Sequence, residues 1–347
     1  MRRFRFIRDP SPELAGTDRS DFLRRLGGPA CLLFSGDDGT RTRALVTLLH
    51  GNEPSGVQAL RRWLLSGQRP AVNLLCIVAS VHAALEMPEF SYRMLPRARD
   101  LNRCFRPPFS DEQGQLAEEI LGLLRLHDPE AVVDMHNTSG SGPSFGVCTH
   151  LDRQHDALVS LFTRRLIVSH LQLGALMEIS DERGPTVTIE VGGRLDEAAH
   201  ELAWEGLQRY AMASRVLAAD EDDDIGLEVL ANPIRLELQD GVTLCYGEAP
   251  RPGHDITLCA DIEHHNFGVV RSATRLGWLQ GDPQTLFRAV DASGRSAVAA
   301  LVRAQNGELY PARDLKLFMI TTNASIAETD CLFYAVADTG AAIEIQH

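Results

Sequence analysis

The sequence predicts an α/β protein in which a mixed, mostly parallel sheet is flanked by helices and followed by a smaller, mostly β domain. Short apolar runs alternate with amphipathic helical stretches up to about residue 219, and helical periodicity then fades. A length of 347 residues suits two domains, which we place at 1–219 and 220–347. Five consecutive acids at 220–224 mark the boundary, because such a run repels itself and is usually solvated.

Each predicted element follows from a local pattern. Apolar runs of strand length predict strands over Ala30–Ser35, Ala44–Leu49, Val72–Ala79, Ala131–Met135 and Thr186–Val191. Helical periodicity predicts helices over Ser55–Leu65, Gln113–Leu126 and Leu195–Ala218. Gly, Pro and Asn punctuate the C-terminal part, where Asp240-Gly241 between two apolar runs (Ile234–Leu238 and Val242–Cys245) predicts a hairpin.

Composition excludes several classes of protein. The formal net charge is −13, from 34 basic and 47 acidic residues, which argues against nucleic acid as a partner. The longest apolar runs, such as Ala71–Ala79, are far too short to span a membrane, and no apolar segment follows the basic N-terminus as in a secretory signal. The seven cysteines include no Cys-x-x-Cys pair and indicate reduced thiols. We therefore expect a cytoplasmic protein without a membrane partner.

Metal-competent side chains follow three of the predicted strands. His50 ends one strand, with Glu53 in the turn before the next helix, and His136 ends another. In open α/β sheets the carboxyl ends of strands form the site, so these side chains can meet there. Two histidines and one carboxylate are a donor set that Zn²⁺ uses in hydrolytic sites, where one position stays open for water. Glu190 ends a third apolar strand, where a carboxylate is costly without a partner or a role.

Each of these residues also has an ordinary explanation when taken singly. A histidine at a strand end is usually a surface residue or a satisfied core residue. His-x-x-Glu is a weak pattern, and Glu190 could pair with a nearby arginine. Their joint occurrence at three strand ends in one α/β half favours a metal-dependent hydrolase.

Four segments of the chain resemble the aspartoacylase and succinylglutamate desuccinylase family of the zinc carboxypeptidase clan, in order and in spacing. The resemblance covers roughly residues 40–215 and is weaker beyond them. The matching segments are His50-Gly51-Asn52-Glu53, Arg99-Asp100-Leu101-Asn102-Arg103-Cys104-Phe105, Asp134-Met135-His136-Asn137-Thr138 and Ile189-Glu190-Val191-Gly192.

The resemblance implies the zinc-carboxypeptidase-like fold and a deacylase that hydrolyses the amide bond of an N-acyl amino acid. It implies one zinc ion per chain, held by His50, Glu53 and His136. Glu190 would be the general base and later the acid. Asp100 is expected to orient a ligand histidine from behind.

The same resemblance implies how a small N-acyl amino acid is bound. Asn102 and Arg103 would hold a substrate carboxylate, with Asn137 also at the substrate, since the planar guanidinium fork matches a carboxylate. An arginine upstream would stabilise the oxyanion; of three candidates, Arg93 fits best through its aromatic neighbour. Arg183 is the candidate for a second substrate-binding arginine, although its spacing differs from the family pattern.

Three alternatives remain at this point. Gly142-Pro143-Ser144-Phe145-Gly146 matches the serine-hydrolase pattern, with Ser144 as nucleophile, but lies several residues past a strand end. A carboxypeptidase or esterase of the same clan would share the motifs. A non-catalytic zinc-binding relative would be expected to lose Glu190 first. The acyl group, the amino acid and whether the chain forms a homo-oligomer are left open.

Overall fold

The computed structural model describes residues 3–138, 140, 142–180, 184–217, 225–291, 294–329 and 331–337. The chain divides into two compact units, Met1–Asn137 with Ser144–Glu228 and Thr138–Pro143 with Val229–His347. The expected domain boundary and its acidic run fall within 218–224, which lie outside the described residues. None of the helices in the described ranges has the length and apolarity needed to cross a membrane.

The first unit is built on a nine-stranded mixed sheet. Its strands are β1 (Arg5–Arg8), β2 (Ala30–Phe34), β3 (Asp38–Thr47), β4 (Val72–Val78), β5 (Val132–Thr138), β6 (Phe145–Cys148), β7 (Arg165–Val168), β8 (Thr186–Gly193) and β9 (Glu228–Ala231). Their order in the sheet is β1-β2-β4-β3-β5-β8-β6-β7-β9. The central strands β3, β4 and β5 are parallel, and β5 is buried along its whole length. Such burial on both faces suits the apolar Val132, Val133 and Met135, and it also encloses the polar Asp134 and His136.

Helices separate these strands along the chain. They are α1 (Arg19–Leu26), α2 (Ser55–Ser66), α3 (Val81–Leu85), α4 (Glu112–His127), α5 (Arg153–Ser160) and α6 (Glu197–Met212), with 3₁₀ helices at Pro12–Ala15, Leu101–Arg103 and Leu176–Ile179. Four of these α-helices begin at an aspartate whose carboxylate accepts from first-turn amides: Asp18, Asp111, Asp152 and Asp196. Helix α2 differs, because Pro54 precedes it and offers no capping side chain.

The second unit contains two five-stranded sheets that share a buried apolar core. Their strands are β10 (Ile234–Leu238), β11 (Leu244–Gly247), β12 (Ile256–Cys259), β13 (Val269–Val270), β14 (Gly277–Leu279), β15 (Phe287–Arg288), β16 (Val302–Gln305), β17 (Glu308–Pro311), β18 (Leu315–Phe318) and β19 (Phe333–Ala337). Short helices α7 (Pro283–Leu286), α8 (Val298–Leu301) and α9 (Ala324–Thr329) and a 3₁₀ helix at Ile262–His265 connect them. The sheet orders are β13-β18-β19-β10-β15 and β11-β12-β14-β17-β16.

The predicted fold class is confirmed, and one local expectation is wrong. The hairpin expected at Asp240-Gly241 does not form, because β10 pairs with β15 and β19 whereas β11 pairs with β12. Gly241 does turn the chain, with φ of +82°, but it passes the chain from one sheet to the other. The strands β2 and β3 follow one another along the chain, yet β4 lies between them in the sheet. A local turn signal does not specify which strands pair.

Candidate metal centre

Three neighbouring strands position the predicted metal ligands and the predicted base. The sheet places β3, β5 and β8 side by side. His50 lies just beyond β3, His136 lies within β5, and Glu190 lies within β8. All three side chains are at least nine-tenths buried. The sheet order thus brings together residues that are far apart along the chain.

The turn that follows β3 is tightly held. Leu48 has a positive φ of 58° and is fully buried, a backbone conformation that a non-glycine residue adopts only under constraint. The Gly51 amide donates to the Arg93 carbonyl at 2.8 Å. A Cβ atom on Gly51 would lie 2.7 Å from the backbone of Ala83, so only glycine allows this approach to α3. The turn therefore fixes where His50 and Glu53 point.

Glu53 bridges the two histidines. Its Oε1 lies 2.7 Å from His50 Nδ1, and its Oε2 lies 2.7 Å from His136 Nδ1. One ligand atom from each of the three residues lies within 4.8 Å of the others, as a shared cation requires. Glu53 is itself only 5% exposed. The three predicted ligands therefore converge.

A carboxylate stands behind each imidazole. His50 Nε2 lies 2.9 Å from Asp100 Oδ1, the orienting contact that the sequence predicts for Asp100. His136 Nε2 lies 2.8 Å from Asp134 Oδ2. Such a partner fixes the ring orientation and the tautomer of a metal-binding histidine and raises its basicity. Both Nδ1 atoms are thereby directed at Glu53.

These contacts fit a divalent cation. All four ring nitrogens of His50 and His136 face a carboxylate oxygen, so each ring would need two protons to satisfy the contacts by hydrogen bonding alone. One divalent cation can replace the two Nδ1 protons with no change in charge. Two histidines and one carboxylate form a donor set that suits Zn²⁺.

The electrostatics of the cluster follow from burial and from these pairs. Burial and Arg93 oppose protonation of His50, but the carboxylates of Glu53 and Asp100 outweigh them and raise its pKa. Burial likewise opposes protonation of His136, and Asp134 and Glu53 raise its pKa well above the usual value. Burial would raise the pKa of Glu53, but the two histidines lower it below the usual value. The cluster thus keeps an anionic Glu53 beside positive charge.

Glu190 differs from the other carboxylates of the cluster. Its Oε2 is buried and has no hydrogen-bond partner among the described residues. Its pKa is raised to about 7, mainly by burial; His136 opposes the rise, whereas the charge of Glu53 adds to it. The carboxyl therefore interacts electrostatically with two of the predicted metal ligands. A carboxyl that titrates near neutral pH suits acid and base catalysis.

Arg93 lies in the cluster but is joined to Asp100. Its Nε and Nη2 donate to Asp100 Oδ2 at 3.1 and 2.8 Å. Burial opposes ionisation of Asp100, yet His50 and Arg93 lower its pKa far below the usual value. Arg93 therefore supports the carboxylate that orients His50, in addition to the oxyanion role that the resemblance implies. Arg183 lies outside the described residues.

The two residues predicted to bind the substrate carboxylate, Asn102 and Arg103, are held in place by hydrogen bonds to neighbouring backbone groups. Asn102 is buried, and its Oδ1 accepts from the Leu176 amide at 2.9 Å, which directs the side chain. Arg103 is half-buried, and its Nη1 donates to the Asn102 carbonyl at 2.9 Å. Gly174 approaches so closely that a Cβ atom on it would lie 2.8 Å from the Arg103 carbonyl oxygen. The 3₁₀ segment is thus held in one position.

Asn137 lies beside His136, but its amide is bound by protein groups. Its Nδ2 donates to Ser55 Oγ at 2.7 Å and to the Gly192 carbonyl at 2.9 Å. Its Oδ1 accepts from the Ser55 amide at 3.0 Å. Both amide hydrogens are therefore occupied, which differs from the substrate-binding role that the resemblance implies.

The serine-hydrolase alternative does not fit the structure. Ser144 immediately precedes strand β6, whereas a nucleophile elbow follows a strand and opens a helix. Its Oγ donates to Thr163 Oγ1 at 3.0 Å. The G-x-S-x-G match therefore lacks the strand-turn-helix context that a serine nucleophile needs.

Sequence reasoning missed Asp134 as a functional residue. It is fully buried, and it shares a face of β5 with His136 because residues i and i+2 of a strand point the same way. The Asp-x-His spacing within a strand is the signal that could have found it.

The site and the sheet together define an α/β catalytic domain with a candidate metal centre at the ends of adjacent strands. Residues 40–211 match the model of the succinylglutamate desuccinylase/aspartoacylase catalytic domain, and the chain belongs to this deacylase family. The resemblance identified from the four motifs is therefore confirmed.

Solved structures show the same fold at low sequence identity. A succinylglutamate desuccinylase/aspartoacylase from Rhodobacter sphaeroides is 16% identical, with 84% of this chain and 83% of that chain covered and a TM-score of 0.53. Succinylglutamate desuccinylase from Chromobacterium violaceum is 15% identical, covers 88% of each chain and has a TM-score of 0.53. Murine aminoacylase 3 is 17% identical, with 86% and 96% covered and a TM-score of 0.54. Among the curated proteins, none matches the chain.

Proposed function

We propose that the protein is a zinc-dependent hydrolase that cleaves the amide bond of an N-acyl amino acid, with one zinc ion per chain. The observation that carries the proposal is the buried carboxyl of Glu190, which has an unpartnered oxygen among the described residues and lies beside a convergent two-histidine, one-carboxylate set. Membership of a deacylase family supports the substrate class.

The metal would be held by His50, Glu53 and His136. When bound there, zinc supplies Lewis acidity that polarises the scissile carbonyl and lowers the pKa of a water molecule. Asp100 and Asp134 fix the imidazoles so that both Nδ1 atoms face Glu53, where the ion would be held. Arg93 in turn fixes Asp100, so the orientation of His50 depends on a chain of charged contacts.

Glu190 moves the protons. Its carboxylate accepts a proton from the attacking water and returns it to the nitrogen of the leaving amine, so one group acts as base and then as acid. A pKa raised to about 7 by burial makes both steps accessible at neutral pH.

The substrate carboxylate would be bound by Arg103 and Asn102. The guanidinium offers two parallel N–H donors to a carboxylate, and the amide of Asn102 adds a directional hydrogen bond. Arg93 would also stabilise the negative charge that develops on the carbonyl oxygen, because fixed positive charge in a water-poor site acts strongly. Arg183 would supply a second guanidinium.

The proposal is tested by one substrate screen with zinc-loaded wild-type protein. The panel contains N-acetyl and N-succinyl amino acids, a peptide with a free C-terminus, and a carboxylate ester. We expect amide cleavage of N-acyl amino acids, abolished by a chelator and restored by zinc. Preference for the peptide or the ester would assign a different activity within the same clan, and chelator-resistant cleavage would contradict the proposal.

Replacing Arg103 with lysine should weaken substrate binding although the positive charge is kept. The ammonium group loses the planar fork, so the Michaelis constant should rise by about tenfold, equivalent to loss of one charge-assisted hydrogen bond. Steady-state kinetics on the best substrate of the screen measure this, with Arg106→Lys as the matched control. An unchanged Michaelis constant would make Arg103 a purely structural residue.

A further inference from the structure

We propose that a buried network of Ser55, Asn137 and His200 is a positioning device that locks the metal-ligating turn to the strand that bears the base. This inference rests on the proposed function for its kinetic consequences, whereas its consequences for metal affinity do not depend on the substrate. None of the three side chains is expected to touch the substrate.

The contacts of the network are complete. The Ser55 amide donates to Asn137 Oδ1 at 3.0 Å, and Asn137 Nδ2 donates to Ser55 Oγ at 2.7 Å. Asn137 Nδ2 also donates to the Gly192 carbonyl at 2.9 Å. Ser55 Oγ lies 2.7 Å from His200 Nδ1. Asn137 thus joins three segments, and His200 adds helix α6 as a fourth.

The three segments that Asn137 joins each contain or directly follow a residue of the candidate site. Ser55 opens helix α2 and follows Glu53 after a single proline. Asn137 is the neighbour of His136 on β5, and Gly192 lies on β8 beyond Glu190. Pro54 provides no capping side chain, so the cap of α2 comes from strand β5, where Asn137 Oδ1 accepts from the Ser55 amide. Removing the network therefore loosens Glu53 relative to both His136 and Glu190.

Donor and acceptor roles follow from the inventory of polar atoms. Both hydrogens of the Asn137 amide are used, so Ser55 Oγ accepts from Asn137 and its own hydrogen is directed at His200. With that hydrogen on His200 Nδ1, the nitrogen accepts, and the ring is neutral with its proton on Nε2. Burial lowers the pKa of His200 and favours this neutral form.

Burial makes the network stiff. Ser55 is fully buried, Asn137 is 2% exposed and His200 is 5% exposed, so a missing partner leaves a desolvated polar atom. A Cβ atom on Gly56 would lie 2.0 Å from Thr47 Oγ1, so the first turn of α2 also packs closely against β3. The first turn therefore has no room to shift without breaking contacts.

The test uses Ser55→Ala and His200→Leu, which break the network at either end, together with their double variant. His200→Asn is the conservative variant, because its Oδ1 can accept where His200 Nδ1 does. Ser66→Ala removes a hydroxyl that donates to the Trp63 carbonyl at the other end of α2, and it is the control. Zinc affinity of the metal-free protein is measured by competition with a chromophoric chelator, beside kcat, KM and Tm.

We expect Ser55→Ala and His200→Leu each to lower zinc affinity and kcat by about tenfold, as loss of partners outside the ligand set does. KM should change by less than about twofold. The double variant should lose no more zinc affinity or kcat than the more impaired of the two single variants, since the two residues act as one unit. His200→Asn and Ser66→Ala should stay near wild type. If His200→Leu does not fold, the zinc affinity and kcat of Ser55→Ala, compared with those of Ser66→Ala, test the proposal.

A fall in Tm for Ser55→Ala with unchanged zinc affinity and kcat would show a merely structural contact and overturn the proposal. Fully additive losses in the double variant would overturn it as well. Failure of the proposed function is a separate outcome, namely a wild-type protein that binds zinc but hydrolyses no N-acyl amino acid. In that case the zinc affinities of the variants still decide for or against the network.

Discussion

Replacing Glu190 with glutamine is expected to lower turnover by several orders of magnitude while leaving zinc bound. The substitution keeps the size of the side chain but removes the group that accepts and returns the proton. The proposed metal ligands, His50, Glu53 and His136, are unchanged. We expect kcat to fall by about 10³-fold, within the range that general acid–base catalysis contributes. Zinc content per chain, measured on the same preparation, should match wild type.

The pH profile gives a second view of Glu190. The working base is the carboxylate, so activity should fall as pH drops through its pKa, which burial raises to about 7. Wild-type kcat/KM should therefore show an acid limb near neutral pH, and the residual rate of Glu190→Gln should lack it. Glu178→Gln is the matched control, because Glu178 is equally buried and its Oε1 accepts backbone amides that a glutamine oxygen can also accept. Near-normal turnover in Glu190→Gln would refute the assignment of the base.

Replacing His136 with alanine is expected to remove the metal. The side chain supplies one of three converging ligand atoms, and its loss also leaves the buried Asp134 without its partner. We expect zinc affinity to fall by more than about 100-fold, beyond what loss of an outer hydrogen-bond partner costs. Activity should be lost with the metal. Chelator competition on the metal-free protein measures the affinity directly.

The matched control for this variant is His155→Ala. His155 is 5% exposed, and both of its ring nitrogens have partners, Asp152 and Ser180, so it is a buried histidine of similar polarity without a metal role. It should keep wild-type zinc affinity. Full zinc occupancy in His136→Ala at limiting metal would show that the ion, if bound, lies elsewhere.

The sequence indicated which side chains converge better than it indicated which strands pair. His50, Glu53, His136 and Glu190 could be found because each follows or ends an apolar strand, and strand ends meet at one edge of the sheet. The predicted helix Ser55–Leu65 and strand Val72–Ala79 match α2 and β4 to within a residue. The helix has a clear apolar face, and the strand is a nearly continuous apolar run because it is buried on both faces.

The features of the fold and of the site that the sequence did not predict depend on contacts between residues far apart in the chain. The Asp240-Gly241 turn is correct locally, but whether β11 returns to β10 or joins β12 is decided by packing that no local pattern encodes. Likewise, nothing near Ser55 indicates that a histidine from α6 completes its hydrogen bonding. The shared face of Asp134 and His136 was available from strand periodicity alone.

The central claim is that His50, Glu53 and His136 hold one zinc ion. X-ray absorption at the zinc edge, with the metal content of the same sample, tests it most directly. The account predicts about one zinc per chain, ligated by nitrogen and oxygen at about 2.0–2.2 Å with no sulfur ligand. A sulfur-containing shell, or a folded protein that takes up no zinc at micromolar concentration, would contradict it.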